Sequence, residues 1–259
     1  MDSTFWRRTR ARLGDKFRLV AWDLPGLGLS KPGQGGITLE GFADDLKALV
    51  DHVGGRPVLV GHSIGGMTIQ TLLRDDPRFQ DRLAGVVLLN TTFTNPLRTM
   101  VCGRLLLGLQ GLLKAAMRVT VAAAPMAWLA NWQGYLSGSA HIAHRLGFGR
   151  SVTRTQLEHV TLMAVRNSPA AEARGNLAMF AWDADCALER IQIPVLIVGG
   201  DIDIVTKPEA SRRIATGNPK AELSVISGAN HLGPLEQADQ YNILIAKFAM
   251  NLHRSSGHQ

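Results

Sequence analysis

The chain has 259 residues, of which 46% are hydrophobic and 19% charged, with 27 glycines and 11 prolines. That supports one sizeable core and excludes intrinsic disorder, a collagen-like repeat and a disulfide-stapled miniprotein. The formal net charge is +7, but the basic residues are scattered and form no long run, so nucleic acid is not an expected partner.

Read in chain order, Arg7, Arg8, Arg10, Arg12, Lys16 and Arg18 alternate with Phe5, Trp6 and Leu13, as on the solvated face of a first helix. Asp2 and Asp15 within it, and the lack of a following apolar stretch, argue against a targeting peptide. Residues 17–22 (FRLVAW) predict a buried strand that ends in the turn-rich segment 23–28. Residues 39–53 have helical spacing, with Thr38 as a plausible N-cap. A strand at 57–60, a helix at 63–74 and a strand at 85–89 (GVVLL) follow.

The character then changes. Between residues 95 and 185 the strand signature disappears, and Leu105, Leu109, Leu112, Leu113 and Met117 recur at helical spacings. Alternation resumes with a strand at 193–198, a helix at 208–215, a strand at 222–226 and a helix at 235–252. This βαβα rhythm predicts a mostly parallel sheet covered on both faces. The expected organisation is an α/β core over residues 1–94, a helical insertion over 95–185 and the rest of the core over 186–259. Residues 119–144 lack acidic and basic side chains other than histidine, but Pro125, Gly134 and Gly138 interrupt them, so a spanning helix is not expected. Cys102 and Cys186 stand far apart without CxxC spacing, which fits a reducing, cytoplasmic setting and argues against a thiolate metal site.

The chemistry concentrates at Gly61-His62-Ser63-Ile64-Gly65, which follows one strand and opens a helix. G-x-S-x-G in that context is a nucleophile elbow: the serine sits on a strained turn with its hydroxyl clear of both elements. The Ile64 amide, at the start of the helix, points where an oxyanion would develop. A serine hydroxyl needs a base, and the base an orienting acid. Both occur in the expected order Ser, Asp, His after later strands. The loop after residue 198 carries Asp201 and Asp203, and the loop after residue 226 reads Ser-Gly-Ala-Asn-His, ending at His231. Gly26 and Gly28 belong to a structural turn rather than a dinucleotide loop, because Lys31 and Pro32 follow and no helix opens there. His141 and His144 lack a carboxylate at ligand spacing in sequence, so no metal site is expected.

These segments resemble the α/β-hydrolase family over essentially the whole chain. Asp23 to Ser30 is similar to the family's D-x-x-G-x-G-x-S turn, and Gly228-Ala229-Asn230-His231 to its histidine loop. The resemblance implies Ser63 as nucleophile, His231 as base and Asp203 as acid, because the family's acid commonly follows a strand-closing glycine by three residues, as Asp203 follows Gly200. Asp201 is the alternative. The insertion then becomes a cap over the serine, with His62, Trp128, Trp132 and Trp182 as candidate substrate contacts. The expected activity is hydrolysis of carboxylic esters of hydrophobic or aromatic acids through an acyl-enzyme, with no cofactor or metal. Alternatives are a carbon–carbon bond hydrolase, a lactonase, an acyltransferase or a non-catalytic ligand-binding member. The basic, apolar stretch 105–132 also fits a membrane-surface hydrolase. Family members usually begin with two strands and a third ending in His-Gly. Residues 1–6 resemble the loop after that third strand, so the chain is expected to be N-terminally short. The strands at 17–22 and 57–60 would then flank an empty place or pair directly.

Overall fold

The computed structural model describes residues 1–33 and 35–256. The first half of the core comprises α1 (Arg7–Leu13), α2 (Leu39–Val53), β1 (Val58–His62), α3 (Ile64–Asp75) and β2 (Gly85–Leu89). An all-helical excursion follows: α4 (Pro96–Thr99), α5 (Gly103–Gly108), α6 (Gln110–Ala122), α7 (Ala124–Leu136), α8 (Ser139–Arg145), α9 (Arg154–Arg166) and α10 (Pro169–Met179). The chain returns through β3 (Val195–Gly200), α11 (Pro208–Gly217), β4 (Ala221–Ile226), α12 (Gly233–Glu236) and α13 (Ala238–Ser256).

Local chemistry accounts for the boundaries. The Thr38 side chain accepts from Gly41 N at 3.0 Å and so caps α2. Thr153 and Gln156 form a reciprocal capping box that starts α9. The four strands pair in the order β1-β2-β3-β4, all parallel, with Val87 beside both Val60 and Leu196. Successive residues of β2 serve opposite layers. Val86 and Leu88 pack with α2, α3 and α11, while Val87 and Leu89 pack with α1 and α13. A strand covered on both faces reads as a continuous apolar run, because each fully buried Val or Leu contributes about 1.5–3 kcal/mol.

One predicted strand does not form. Residues 17–22 carry no strand assignment and no ladder partner among the described residues. They lie across a cavity of about 640 Å³ from β1, and both stretches line it. Ladder bonds need a neighbour within about 5 Å, so an apolar run with no adjacent strand stays unpaired. Direct pairing of the two stretches does not occur, and β1 is an edge of the sheet.

The helical excursion is tied at its base. Thr94 and Asp183 form an antiparallel bridge, reinforced by Thr94 Oγ1 donating to Asp183 Oδ2 at 2.6 Å and Ala184 N donating to the Phe93 carbonyl at 2.8 Å. Among the described residues no single helix is long and apolar enough to cross a membrane.

Candidate active site

Ser63 stands between β1 and α3 at φ 51°, ψ −119°, a left-handed conformation rarely adopted by a residue with a Cβ. Its neighbours make the turn sterically feasible. A Cβ at Gly61 would lie 2.5 Å from the Gly65 carbonyl oxygen, and one at Gly66 would lie 2.7 Å from Thr91 Oγ1. Gly65 itself faces open space, so the second tight approach belongs to Gly66 rather than to the last glycine of the motif. The Thr91 hydroxyl donates to the Ser63 carbonyl at 2.7 Å, and the amides of Gly66 and Met67 donate to the same oxygen. The turn is thus held by β2's continuation and by the helix it opens.

The side chains of Ser63, His231 and Asp203 form a continuous chain of contacts. His231 Nε2 lies 3.0 Å from Ser63 Oγ, and Nδ1 lies 3.1 Å from Asp203 Oδ2. With Nδ1 protonated toward the carboxylate, Nε2 is free to accept from the serine. Asp203 is buried, and burial opposes its ionisation. Electrostatic interaction with the His231 ring and hydrogen bonds from His231, Thr206 and Asn90 outweigh that and hold the carboxyl well below its usual range. Oδ1 also accepts from the amides of Val205 and Thr206, each at 2.8 Å. Asp201 is turned away and ties the histidine loop, accepting from Gly228 N at 2.7 Å and Ser227 Oγ at 3.0 Å.

Residues not singled out from sequence complete the assembly. Asn90, at φ 41° after β2, donates to Asp203 Oδ2 and to the Asn230 carbonyl, and accepts from the Tyr241 hydroxyl at 2.7 Å. Asn230 Oδ1 accepts from the amides of Ile204 and His231, and its Nδ2 donates to the carbonyls of Leu146 and Phe148 at the base of the helical excursion. Glu236 accepts from Ser151 and Gly149 there. The available signals were weak: Asn90 closes a buried strand, and Thr206 follows Asp203 by three residues.

His62 lines the cavity, stacks on Phe5 at 4.7 Å and bonds the His231 carbonyl through Nε2 at 2.8 Å. Burial first, then the nearby His231, push its imidazole down to about 3, so it is neutral near pH 7 and donates. The three tryptophans expected as contacts, Trp128, Trp132 and Trp182, lie off the cavity, which is lined instead by Trp6 and Trp22. Trp182 is core, packed with Leu39, Phe42 and Met67 and donating to Thr71 Oγ1 at 2.8 Å. Trp128 and Trp132 pack edge-on to each other on α7, off the cavity wall. Sequence composition could place aromatic residues in the helical excursion but not choose the face they occupy. His141 meets a carboxylate supplied from another helix, Glu158 on α9, at 2.8 Å, whereas His144 Nδ1 bonds the Ala140 carbonyl.

The cavity opens at Ser63, His231 and Ile64 and is roofed by α10 through Ala171, Glu172, Gly175, Asn176 and Met179. Gly175 sits directly over the elbow: a Cβ there would be 3.7 Å from Ile64 Cδ1. Leu24, Pro25 and Leu27 form a side wall, and burial pushes the Glu172 carboxyl up. The profile of the alpha/beta hydrolase family matches residues 1–242. The chain belongs to that family. A 27% identical relative in Agrobacterium fabrum bears the name carbamate hydrolase RutD; the match covers 96% of this chain and 89% of the relative. A 24% identical one in Acinetobacter baylyi is named 3-oxoadipate enol-lactonase 2, with 92% and 81% covered. The esterase structure from Thermogutta terrifontis superposes with a TM-score of 0.76 at 25% identity, covering 98% of this chain and 87% of that one. As an alpha/beta hydrolase, the protein is an enzyme whose parallel sheet delivers its polar loops to one end.

Proposed function

We propose that this hydrolase cleaves carboxylic esters with an apolar acyl group, using Ser63 as nucleophile, His231 as general base and acid, and Asp203 as the group that orients and stabilises the imidazole. The observation that carries the reading is the Ser63–His231–Asp203 chain of contacts opening into a largely apolar cavity. Ser63 Oγ attacks the ester carbonyl carbon as its proton passes to His231 Nε2. The carbonyl electrons move onto oxygen, which faces the Ile64 amide at the start of α3. Collapse of the adduct breaks the bond to the alcohol, which leaves with the proton from His231. Water, deprotonated by His231, then attacks the acyl-enzyme, and the acid is released with Ser63 restored. Leu24, Leu27, Ile37 and Met179 on the cavity wall support an apolar acyl portion. His62 acts in this reading by holding the His231 backbone as well as by lining the cavity.

A fluorophosphonate probe should label Ser63 in the wild type and leave Ser63→Ala unlabelled, since labelling requires an activated hydroxyl. A series of p-nitrophenyl esters of increasing chain length should give turnover with wild type and none above background with Ser63→Ala. Absence of both labelling and turnover would leave a non-catalytic ligand-binding protein as the better reading.

A further inference from the structure

The outer helices of the cap are apolar, yet they contribute no residue to the buried core. Neither α6 nor α7 contains a buried residue, whereas α3, of similar length, buries eight. Leu112 is 69% exposed and Leu136 75%. On α7, Met126, Leu129 and Leu136 fall at i, i+3 and i+10, a single outward stripe, and Trp128, on another side of the helix, is 45% exposed. α6 and α7 meet at 102°, so they form a bent pair rather than one straight rod. An exposed apolar surface of this kind marks an interaction face.

Charge identifies what covers it. From residue 82 to residue 157 the sequence contains no Asp or Glu, while α4 to α8 carry Arg98, Arg104, Lys114, Arg118 and Arg145. A protein interface usually mixes signs and depletes lysine at its core. Exposed leucines, an exposed tryptophan and cations on helices that carry no acid of their own, with Glu158 of α9 held beside them by Tyr135 and His141, match the interface of a lipid bilayer instead, where aromatic rings sit at the headgroups and basic side chains meet anionic lipid. The placement also makes sense of the pocket. α5, α6 and α7 contribute no residue to the cavity wall, α8 contributes only His144, and α10, against which α6 and α7 pack, separates α6 and α7 from it. A bilayer on the outer helices therefore leaves the Ser63 cavity intact behind α10.

We propose that the outer face of the cap, α5 to α8, docks peripherally on a bilayer containing anionic phospholipid. Docking requires no turnover, so it stands or falls independently of the ester-hydrolase reading. The test uses the full chain with vesicles of phosphatidylcholine alone and of phosphatidylcholine with phosphatidylserine, read by flotation and by tryptophan fluorescence. Wild type should float with the anionic vesicles, bind the neutral ones far more weakly, and detach in high salt. Emission should shift to the blue on binding, with the shift reduced in Trp128→Phe. Combining Arg104→Gln, Lys114→Gln and Arg118→Gln should weaken anionic-vesicle binding by about a hundredfold, from about fivefold per cation. Leu112→Gln, Leu129→Gln and Leu136→Gln together should abolish flotation while leaving thermal unfolding unchanged, because these side chains are already in water. Wild type that stays soluble with both vesicles overturns the proposal. So does a stable dimer in lipid-free buffer that the leucine substitutions dissociate, since a second copy then covers the face.

Discussion

The neutral imidazole of His62 makes stability depend on pH in a way that one substitution isolates. In the unfolded chain a histidine binds its proton near 6.5; in the folded enzyme burial pushes His62 down to about 3. Between those values the unfolded state holds a proton that the native state does not, so acid favours unfolding. The stability is fully present above about pH 6.5 and is lost progressively as pH falls toward 3. From about pH 6 to pH 4 this one residue should remove about 2.5 kcal/mol, the slope approaching about 1.4 kcal/mol per pH unit once the unfolded histidine is fully protonated. In a chain of this size that is a fall in Tm of about 5–10 °C. His62→Gln does not titrate and retains an amide donor for the His231 carbonyl, so its stability should fall by that much less over the same window. Urea unfolding of both proteins at several pH values measures the difference. Asp203 and His144, whose pKa values are also lowered, are common to both proteins and cancel. Parallel pH dependences would refute the argument, for they would mean that His62 is protonated in the folded enzyme.

Asp203→Asn should lower kcat on a p-nitrophenyl ester by about 10⁴ through the wrong imidazole tautomer, while Asp201→Asn should only loosen the loop at Ser227 and Gly228, costing about 1 kcal/mol in urea unfolding. The reverse order of severity would move the acid role to Asp201. Gly66→Ala drives a methyl into Thr91 and should destabilise by about 1–3 kcal/mol, with a loss of turnover because Thr91 also holds the Ser63 carbonyl; Gly65→Ala, which meets nothing, should leave stability nearly unchanged. Trp182→Phe removes the indole bond to Thr71 inside the core and should cost about 1–3 kcal/mol with the ester chain-length profile intact. A shifted profile would return Trp182 to the pocket wall.

How much of the molecule was legible follows from how local each signal is. The elbow could be read because its constraints lie within a few residues: an apolar strand, glycine at 61, serine at 63, and a helix that starts at once. Thr38 announced α2 for the same reason, since a cap acts on an amide three residues away. The Gly200 to Asp203 spacing favoured Asp203, but the contact with His231 depends on where two loops from different strands converge. Asn90, Thr206 and Tyr241 were missed, and Asn230 was named in its loop without a role, because a buried polar network is defined by partners distant in sequence.

The strand pattern of residues 17–22 failed for the complementary reason. Alternation and apolarity describe a segment able to pair, whereas a ladder exists only if another strand lies alongside, and here a cavity does. Trp182 and Trp128 likewise both belong to the segment between residues 95 and 185, yet Trp182 fills the core and Trp128 is half exposed. The sequence by itself determined the α/β order, the strained turn at Ser63 and the chain order of Ser63, Asp203 and His231, because each rests on short-range sterics, capping or periodicity. Only the tertiary structure decided which aspartate meets the imidazole, which strands pair and which cap face is left uncovered, because those outcomes depend on packing between segments far apart in the chain.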